Sequence, residues 1–355
     1  MTTAPRALRI LMVGEAIAAS RTPQRLKAML TLGHDARLIP TTPPGHSYET
    51  RPSLLDRIRY RLRVPPDLAG ANVALRQVAE VEGNWDVVWL DNARTIRRST
   101  LEAVRAASPG CRLVWYCEDD MMNPRHRTRW IEGCLDLFDV WSTTKSYNTR
   151  PEELPSLGVR RTLRVDNAYD PDLHRPLPVS DEERARFGAD VAFVGTFERP
   201  RADSMVRLAE AGIACRVWGN GWGALKDRHP LLVIEDRPVY GDDYARAIAA
   251  SRINLCFLRR FNRDLQTCRS MEIPACGGFM MHERNDEIAA LFTEDREAAF
   301  FGSDDELVSQ CRRWLADDEG RRRVALDGRT RVQTDDHTHR AQVSRILAAA
   351  METAA

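Results

Sequence analysis

At 355 residues the chain is longer than one hydrophobic core usually serves, so two domains are expected. It carries 52 basic against 51 acidic residues, a formal charge of +1, which excludes a global field drawing it to nucleic acid; an anionic ligand must be held by local groups. No apolar run reaches the roughly 18 residues of a membrane span, so membrane contact is at most peripheral. The eight cysteines show neither paired metal spacing nor disulfide-rich density, and most are expected as small buried hydrophobes in a reducing, cytoplasmic setting.

Short apolar runs alternate with helical patterns, as in open α/β sheets. Residues 8–13 (LRILMV) read as a buried strand that turns at Gly14, rather than as a signal peptide. A helix over 23–32 and a strand over 36–39 follow. Residues 41–66 are rich in Pro and Arg and read as a long loop holding one basic amphipathic helix, 54–62. That helix either faces an anionic or lipid-linked acceptor or is a solvated basic face. Further strands are expected at 86–90, 112–116 and 140–143. Around 166–178 (DNAYDPDLHRPLP) the periodicity stops and Asp and Pro accumulate, a linker composition. A second series then opens: strand 190–194, turn Gly195-Thr196, helix 203–211, strand 215–218, helix 242–250, strand 253–258, helix 268–275 and strand 278–281. Two consecutive α/β series imply two Rossmann-like domains facing a central cleft.

Residues 258–280 (LRRFNRDLQTCRSMEIPACGGFM) carry the most chemistry. The cluster Arg259, Arg260 and Arg263 follows a strand, and a helix then brings Arg269 and Glu272. Ligands of open α/β sheets lie outside the carboxyl ends of strands. There a helix N-terminus and arginines can hold a diphosphate, and a carboxylate one turn later can accept both ribose hydroxyls. The same spacing also suits a surface ion pair between Arg269 and Glu272 worth only ~0.2–0.5 kcal/mol. Residue chemistry alone leaves these two readings level.

The segment FNRDLQTCRSMEIPACGGFM, followed by NDEIAALF, SDDELVSQCRRWLAD and RRRVALDGRTRVQTDDHTHRAQVSRIL, resembles the C-terminal half of the CgeB-type (spore maturation protein-like) glycosyltransferases. These are similar to family 4-like enzymes of the GT-B superfamily. The resemblance covers most of residues 188–347 and extends more weakly through DVWSTTKSYNTRPEELPSLGV and DNAYDPDLHRP. It implies a GT-B architecture of two Rossmann-like domains, 1–172 on the acceptor side and 180–334 binding the nucleotide sugar. Residues 335–355 would form a helix packing back on the first domain. In related retaining enzymes two glutamates contact the donor. Glu272 matches the one that binds ribose, and Asp264 stands where the sugar-side one would be, one methylene shorter, or caps the helix start. The shortening leaves retention of configuration open.

The resemblance also places the loop Gly195-Thr196-Phe197, with Arg199 and Arg201, across from the diphosphate. Either arginine can be a phosphate clamp or a solvated surface residue; ordinary strand–helix punctuation also explains Gly195. In Trp218-Gly219-Asn220-Gly221-Trp222, Trp218 is expected to pack, while Gly221 and Trp222 would shape a nucleoside pocket with Trp222 as stacking face. Tyr240 lies where the backbone would read the base. In the first half, Gly14-Glu15 would contact sugar or acceptor. Glu118-Asp119-Asp120 suggests a metal–diphosphate site, against which GT-B enzymes neutralise the leaving group with arginine and helix dipoles. Asp119 or Asp120, or His126 nearby, would activate an acceptor hydroxyl. Asp335-Asp336-His337-Thr338-His339 reads as the start of the last helix rather than as metal ligands.

The resulting expectation is a metal-independent glycosyltransferase of the hexosyltransferase type. It would need no cofactor beyond a nucleotide-diphosphate sugar donor of unassigned base, carrying UDP, GDP or dTDP. The acceptor would be a glycan, a lipid-linked molecule, a peptide or a small molecule, with no nucleic-acid partner. A sugar-nucleotide epimerase or hydrolase, and a non-catalytic sugar-nucleotide or glycan-binding protein, are the alternatives.

Overall fold

The computed structural model describes residues 6–17 and 19–352; residues 353–355 of the expected C-terminal helix lie outside the described residues. Two compact units divide the chain. One comprises Met1–Asp166 with His339–Ala355, the other Asn167–Thr338.

The first unit runs β1 (Arg9–Gly14), α1 (Thr22–Thr31), β2 (Asp35–Pro40), α2 (Leu54–Arg61), α3 (Ala71–Glu82), β3 (Val87–Asp91), α4 (Arg98–Ala107), β4 (Arg112–Cys117), α5 (Arg129–Glu132), β5 (Val140–Thr143) and β6 (Thr162–Arg164). The strands form one parallel sheet in the order β2-β1-β3-β4-β5-β6. Helices cover both faces of such a sheet, so its central strands are apolar without alternation, and every residue of β3 (VVWLD) is buried.

The second unit runs α6 (Asp181–Phe187), β7 (Val191–Val194), α7 (Arg199–Glu210), β8 (Cys215–Trp218), β9 (Leu232–Ile234), α8 (Gly241–Ala250), β10 (Ile253–Cys256), α9 (Arg269–Ala275), β11 (Met280–Glu283), α10 (Asp286–Leu291), β12 (Ala299–Phe301), α11 (Asp304–Ala316) and α12 (Asp318–Thr334). Its parallel sheet has the order β12-β11-β10-β7-β8-β9. Read from β9, this is the strand order of a Rossmann sheet, and its direction reverses between β7 and β10. The reversal opens a crevice at the carboxyl ends of those two strands.

The last helix, α13 (His339–Met351), belongs to the first unit. Val343, Ile346 and Leu347 join Ile10, Trp89 and Val114 in one core, and each such burial contributes roughly 1.5–3 kcal/mol. Its ends are pinned as well: the Gln342 amide donates to the Asp166 carbonyl at 2.6 Å, and Arg161 donates to that of Ala349 at 2.6 Å.

Three expectations need revising. The Asp- and Pro-rich stretch over 166–178 is not a free linker: Asn167, Tyr169, Asp170 and His174 are buried within the second unit. There the Tyr169 amide donates to the His337 carbonyl at 3.0 Å. Helix α7 begins at Arg199 rather than 203, because Pro200 in its first turn starts a helix instead of punctuating a loop. The short strands β6, β9 and β12, three residues each, are too brief for a period to register. All eight cysteines are buried thiols.

Candidate functional site

At the crevice of the second unit, the loops after β7 and β8 meet backbone to backbone. The Gly195 amide donates to the Trp218 carbonyl at 2.8 Å. A Cβ on Gly219, whose φ is +146°, would lie 2.0 Å from the Gly195 carbonyl oxygen, and one on Gly195 would strike the Phe193 ring at 2.6 Å. Both glycines are therefore required by loop packing. Trp222 closes the same joint: fully buried, it donates from Nε1 to the Gly195 carbonyl at 2.9 Å and sets its edge on Phe193 and Phe197. It thus presents no free face for a base to stack on, and the stacking expectation is corrected to a structural one. Gly221 turns beside it with φ +88°, and Thr196 is exposed. Tyr240 is exposed at the N-cap of α8.

The arginines of this rim divide sharply. Arg199 points outward and pairs with Asp203 one turn along α7 at 2.9 Å. Arg201, two residues on, is 3% exposed. It donates to the Thr196 carbonyl at 3.1 Å and lies 3.9 Å from Glu198. Its Nε and one Nη find no partner among the described residues. Arg269, at the start of α9, likewise has an unpartnered buried Nε. Both guanidinium carbons stand 5.5 Å from the Phe193 ring centroid. Arg259 completes the group, donating to Glu198 at 3.1 Å. Burial first, and then the like charges of Arg269 and Arg259, pull the Arg201 guanidinium down to about 10. Arg201 and Arg269 thus keep buried N–H groups without acceptors, which is costly. Such a site favours an anion.

Beside it, Glu272 is buried on α9. Its Oε2 accepts from the Tyr244 hydroxyl at 2.9 Å, and His174 Nε2 stands 3.7 Å from Oε1. The Asp170 amide donates to His174 Nδ1 at 3.0 Å, which leaves the proton of the neutral ring on Nε2, facing the carboxylate. Burial and the Glu272 charge hold the Tyr244 hydroxyl well above its ordinary value. The surface-pair alternative for Arg269 and Glu272 is thereby replaced: Glu272 lies inside, against Tyr244 and His174. Neither partner is visible in sequence, since each sits at least 28 residues away. From below, the first turn of α9 is fixed by Ser270, which accepts from the Thr267 amide at 3.0 Å and meets His282 Nε2 at 2.9 Å.

Asp264 does not cap α9, whose N-cap is Cys268. Its Oδ1 accepts from the Asn262 amide group at 2.7 Å and its Oδ2 from the Arg259 backbone at 3.2 Å, closing the turn over Arg260–Asn262. Arg263 leaves that turn exposed and left-handed, with φ +45°.

In the first unit, Gly14 ends β1 and Glu15 follows it, accepting from the Tyr48 hydroxyl at 3.0 Å. Asp119 pairs with Arg94, and Glu118 with Arg25 at 3.0 Å. Asp120 is buried and accepts from Asn148 at 3.0 Å. His126 is buried with Nδ1 against the Asp120 carbonyl at 3.1 Å. Among the described residues no group of three or more His, Cys, Asp or Glu side chains is arranged to hold a metal ion.

A cavity of about 840 Å³ opens in the second unit at Asp190, Ala214, Arg252 and Phe279, the residues just before β7, β8, β10 and β11. It lies at the amino ends of the strands, whereas ligands of open α/β sheets bind at the carboxyl ends. The carboxyl-end crevice at Arg201, Arg269 and Glu272 is therefore the candidate site.

Residues 201–348 match the family model described as Glycosyl transferase-like. No curated protein sequence matches the chain. Among solved structures, HepE from Anabaena, determined with UDP and glucose, is 13% identical with a TM-score of 0.59, over 96% of this chain and 99% of that one. Sucrose-phosphate synthase from Thermosynechococcus elongatus is 12% identical with a TM-score of 0.64, over 97% and 98%. An α,α-trehalose-phosphate synthase (UDP-forming) from Burkholderia vietnamiensis is 11% identical with a TM-score of 0.67, over 97% and 99%. The two parallel six-stranded sheets and this end-to-end likeness give the chain the GT-B fold of the glycosyltransferases.

Proposed function

We propose that the protein transfers a sugar from a nucleotide-diphosphate sugar to an acceptor, and that the second unit binds the donor. The observation that carries this reading is the under-compensated pair of buried Arg201 and half-buried Arg269 at the crevice between β7 and β10. The match of residues 201–348 to a glycosyl transferase-like model supports it, as do the UDP and UDP-glucose complexes of the similar HepE. In this reading Arg201 and Arg269 hold the diphosphate, and Glu272, oriented by Tyr244, receives the ribose hydroxyls. The bond from the sugar C1 to the diphosphate oxygen breaks as the acceptor oxygen bonds to C1. The leaving diphosphate takes the electron pair and then the proton that the acceptor hydroxyl gives up, and its growing charge meets donors already in place.

Glycosyl transfer in this reading needs no metal, and the leaving nucleotide is UDP, GDP or dTDP. Asp264, held by Asn262 and by the Arg259 backbone, serves better as turn scaffold than as sugar contact. The paired Asp119 and the buried His126 make poor acceptor bases as they stand. The ordered CgeB-type resemblance and a hexosyl donor belong to this proposal. So does a cytoplasmic setting, which the eight free cysteines support.

Thermal melting with each of the three nucleoside diphosphates tests the donor site. A ligand at one hundred times its Kd stabilises by about 2.7 kcal/mol. Glu272→Ala should weaken the stabilising nucleotide at least ~tenfold, the scale of a charge-assisted hydrogen bond. It should also slow release of nucleoside diphosphate from the donor. Normal binding and turnover in that variant would sink the assignment.

A further inference from the structure

Helix α2 of the first unit buries none of its residues. Leu54, Leu55, Ile58 and Leu62 are 75%, 56%, 54% and 56% exposed. At 3.6 residues per turn these four fall within an arc of about 100°. The same projection sets Arg57 and Arg61 along one edge of the arc and Arg59 along the other, with Asp56 on the far side. Over residues 51–62 there are four arginines and one acidic residue.

The helix is not a loose segment. Ser53 caps its start by accepting from the Asp56 amide at 3.1 Å. At its other end Arg63 donates to the Arg127 carbonyl at 2.9 Å and pairs with Glu132. Just beyond, Trp130 donates to the Pro65 carbonyl at 3.0 Å. An ordered helix is therefore held at its base while its apolar stripe faces water.

We propose that α2 lies flat on an anionic lipid surface, with its leucines and Ile58 in the acyl boundary and its flanking arginines on the headgroups. Two observations select this occupant. The helix is far too short to span a bilayer. Arginines also line both edges of the apolar arc, which complements a surface rich in negative headgroups. A second copy docking through the same face would bring these arginines against their own equivalents, because a two-fold contact pairs a patch with itself. The inference concerns the first unit and stands independently of the donor site.

Co-sedimentation of the full chain with phosphatidylcholine vesicles, with and without phosphatidylglycerol, tests it. Binding should appear only with phosphatidylglycerol and weaken as salt is raised. Removing each of Arg57 and Arg61 by substitution with Ala should lower the partition coefficient about fivefold. Ile58→Glu should lower it at least ~tenfold, while melting temperature and nucleotide binding stay unchanged because more than half of the side chain faces water and it belongs to no core. Absence of wild-type binding to anionic vesicles would overturn the proposal, as would equal binding by Ile58→Glu. If sedimentation velocity instead shows a dimer that Ile58→Glu splits, with no vesicle binding, the face is a contact between copies and the lipid proposal fails.

Discussion

The carboxyl ends of the two sheets carry similar residues and treat them in opposite ways. In the first unit Arg25 is buried, yet Asp91 meets it at 2.6 Å and Glu118 at 3.0 Å, and its guanidinium lies over the Tyr116 ring. Burial works against its charge, but Asp91, Tyr116 and Glu118 more than offset this and hold the guanidinium above its ordinary value. In the second unit Arg201 is equally buried, and the balance runs the other way, pulling it down to about 10. The difference separates two uses of one side chain. A buried cation whose partners come from its own fold holds that fold together; one left short of partners is suited to receive an anion.

The largest effect that would break this contrast lies in the first unit. Arg25→Ala leaves Asp91 buried without its counter-ion, and should lower unfolding stability by about 3–5 kcal/mol in denaturant titration. A loss below 1 kcal/mol would remove the structural half of the comparison. Next comes Arg201→Met, which keeps the volume and removes the uncompensated charge. It should leave stability unchanged or slightly raised, yet weaken the bound nucleoside diphosphate by about 1.5–3 kcal/mol, read by calorimetry. A variant that stays folded but loses several kcal/mol of stability while its nucleotide affinity holds would reverse the assignment. The smallest effect is reserved for Arg199→Ala. Its pair with Asp203 is solvent-exposed, so stability should move by less than about 0.5 kcal/mol and nucleotide affinity not at all.

That last pair of predictions also marks what could be read before folding. Arg199 and Arg201 are two residues apart in a turn–helix junction, and both are candidate clamps by type. Only the start of α7 at Arg199 decides which of them turns inward, and Pro200 was the signal for it. The strand and helix series was legible because apolar periodicity is local, and so was the position of Glu272 and Arg269 at a strand's end. The partners of Glu272 were not. Tyr244 and His174 reach it through the packing of α8 and of a Pro-rich stretch whose composition argues for a linker. Trp222 shows the converse error. An aromatic beside glycines looks like a stacking platform, yet Gly195 and Gly219 draw two loops so close that its ring becomes their cover.

The return of α13 to the first unit has a consequence for biosynthesis. The first unit is split around the whole of residues 167–338, so a layer of its core, Val343, Ile346 and Leu347, reaches the nascent chain only after the second unit has been made. The second unit is continuous, and its two ends lie side by side through the Tyr169–Thr338 bridge. It can close as soon as its own residues emerge, while the earlier-made strands keep one face uncovered. The part synthesised first is completed last.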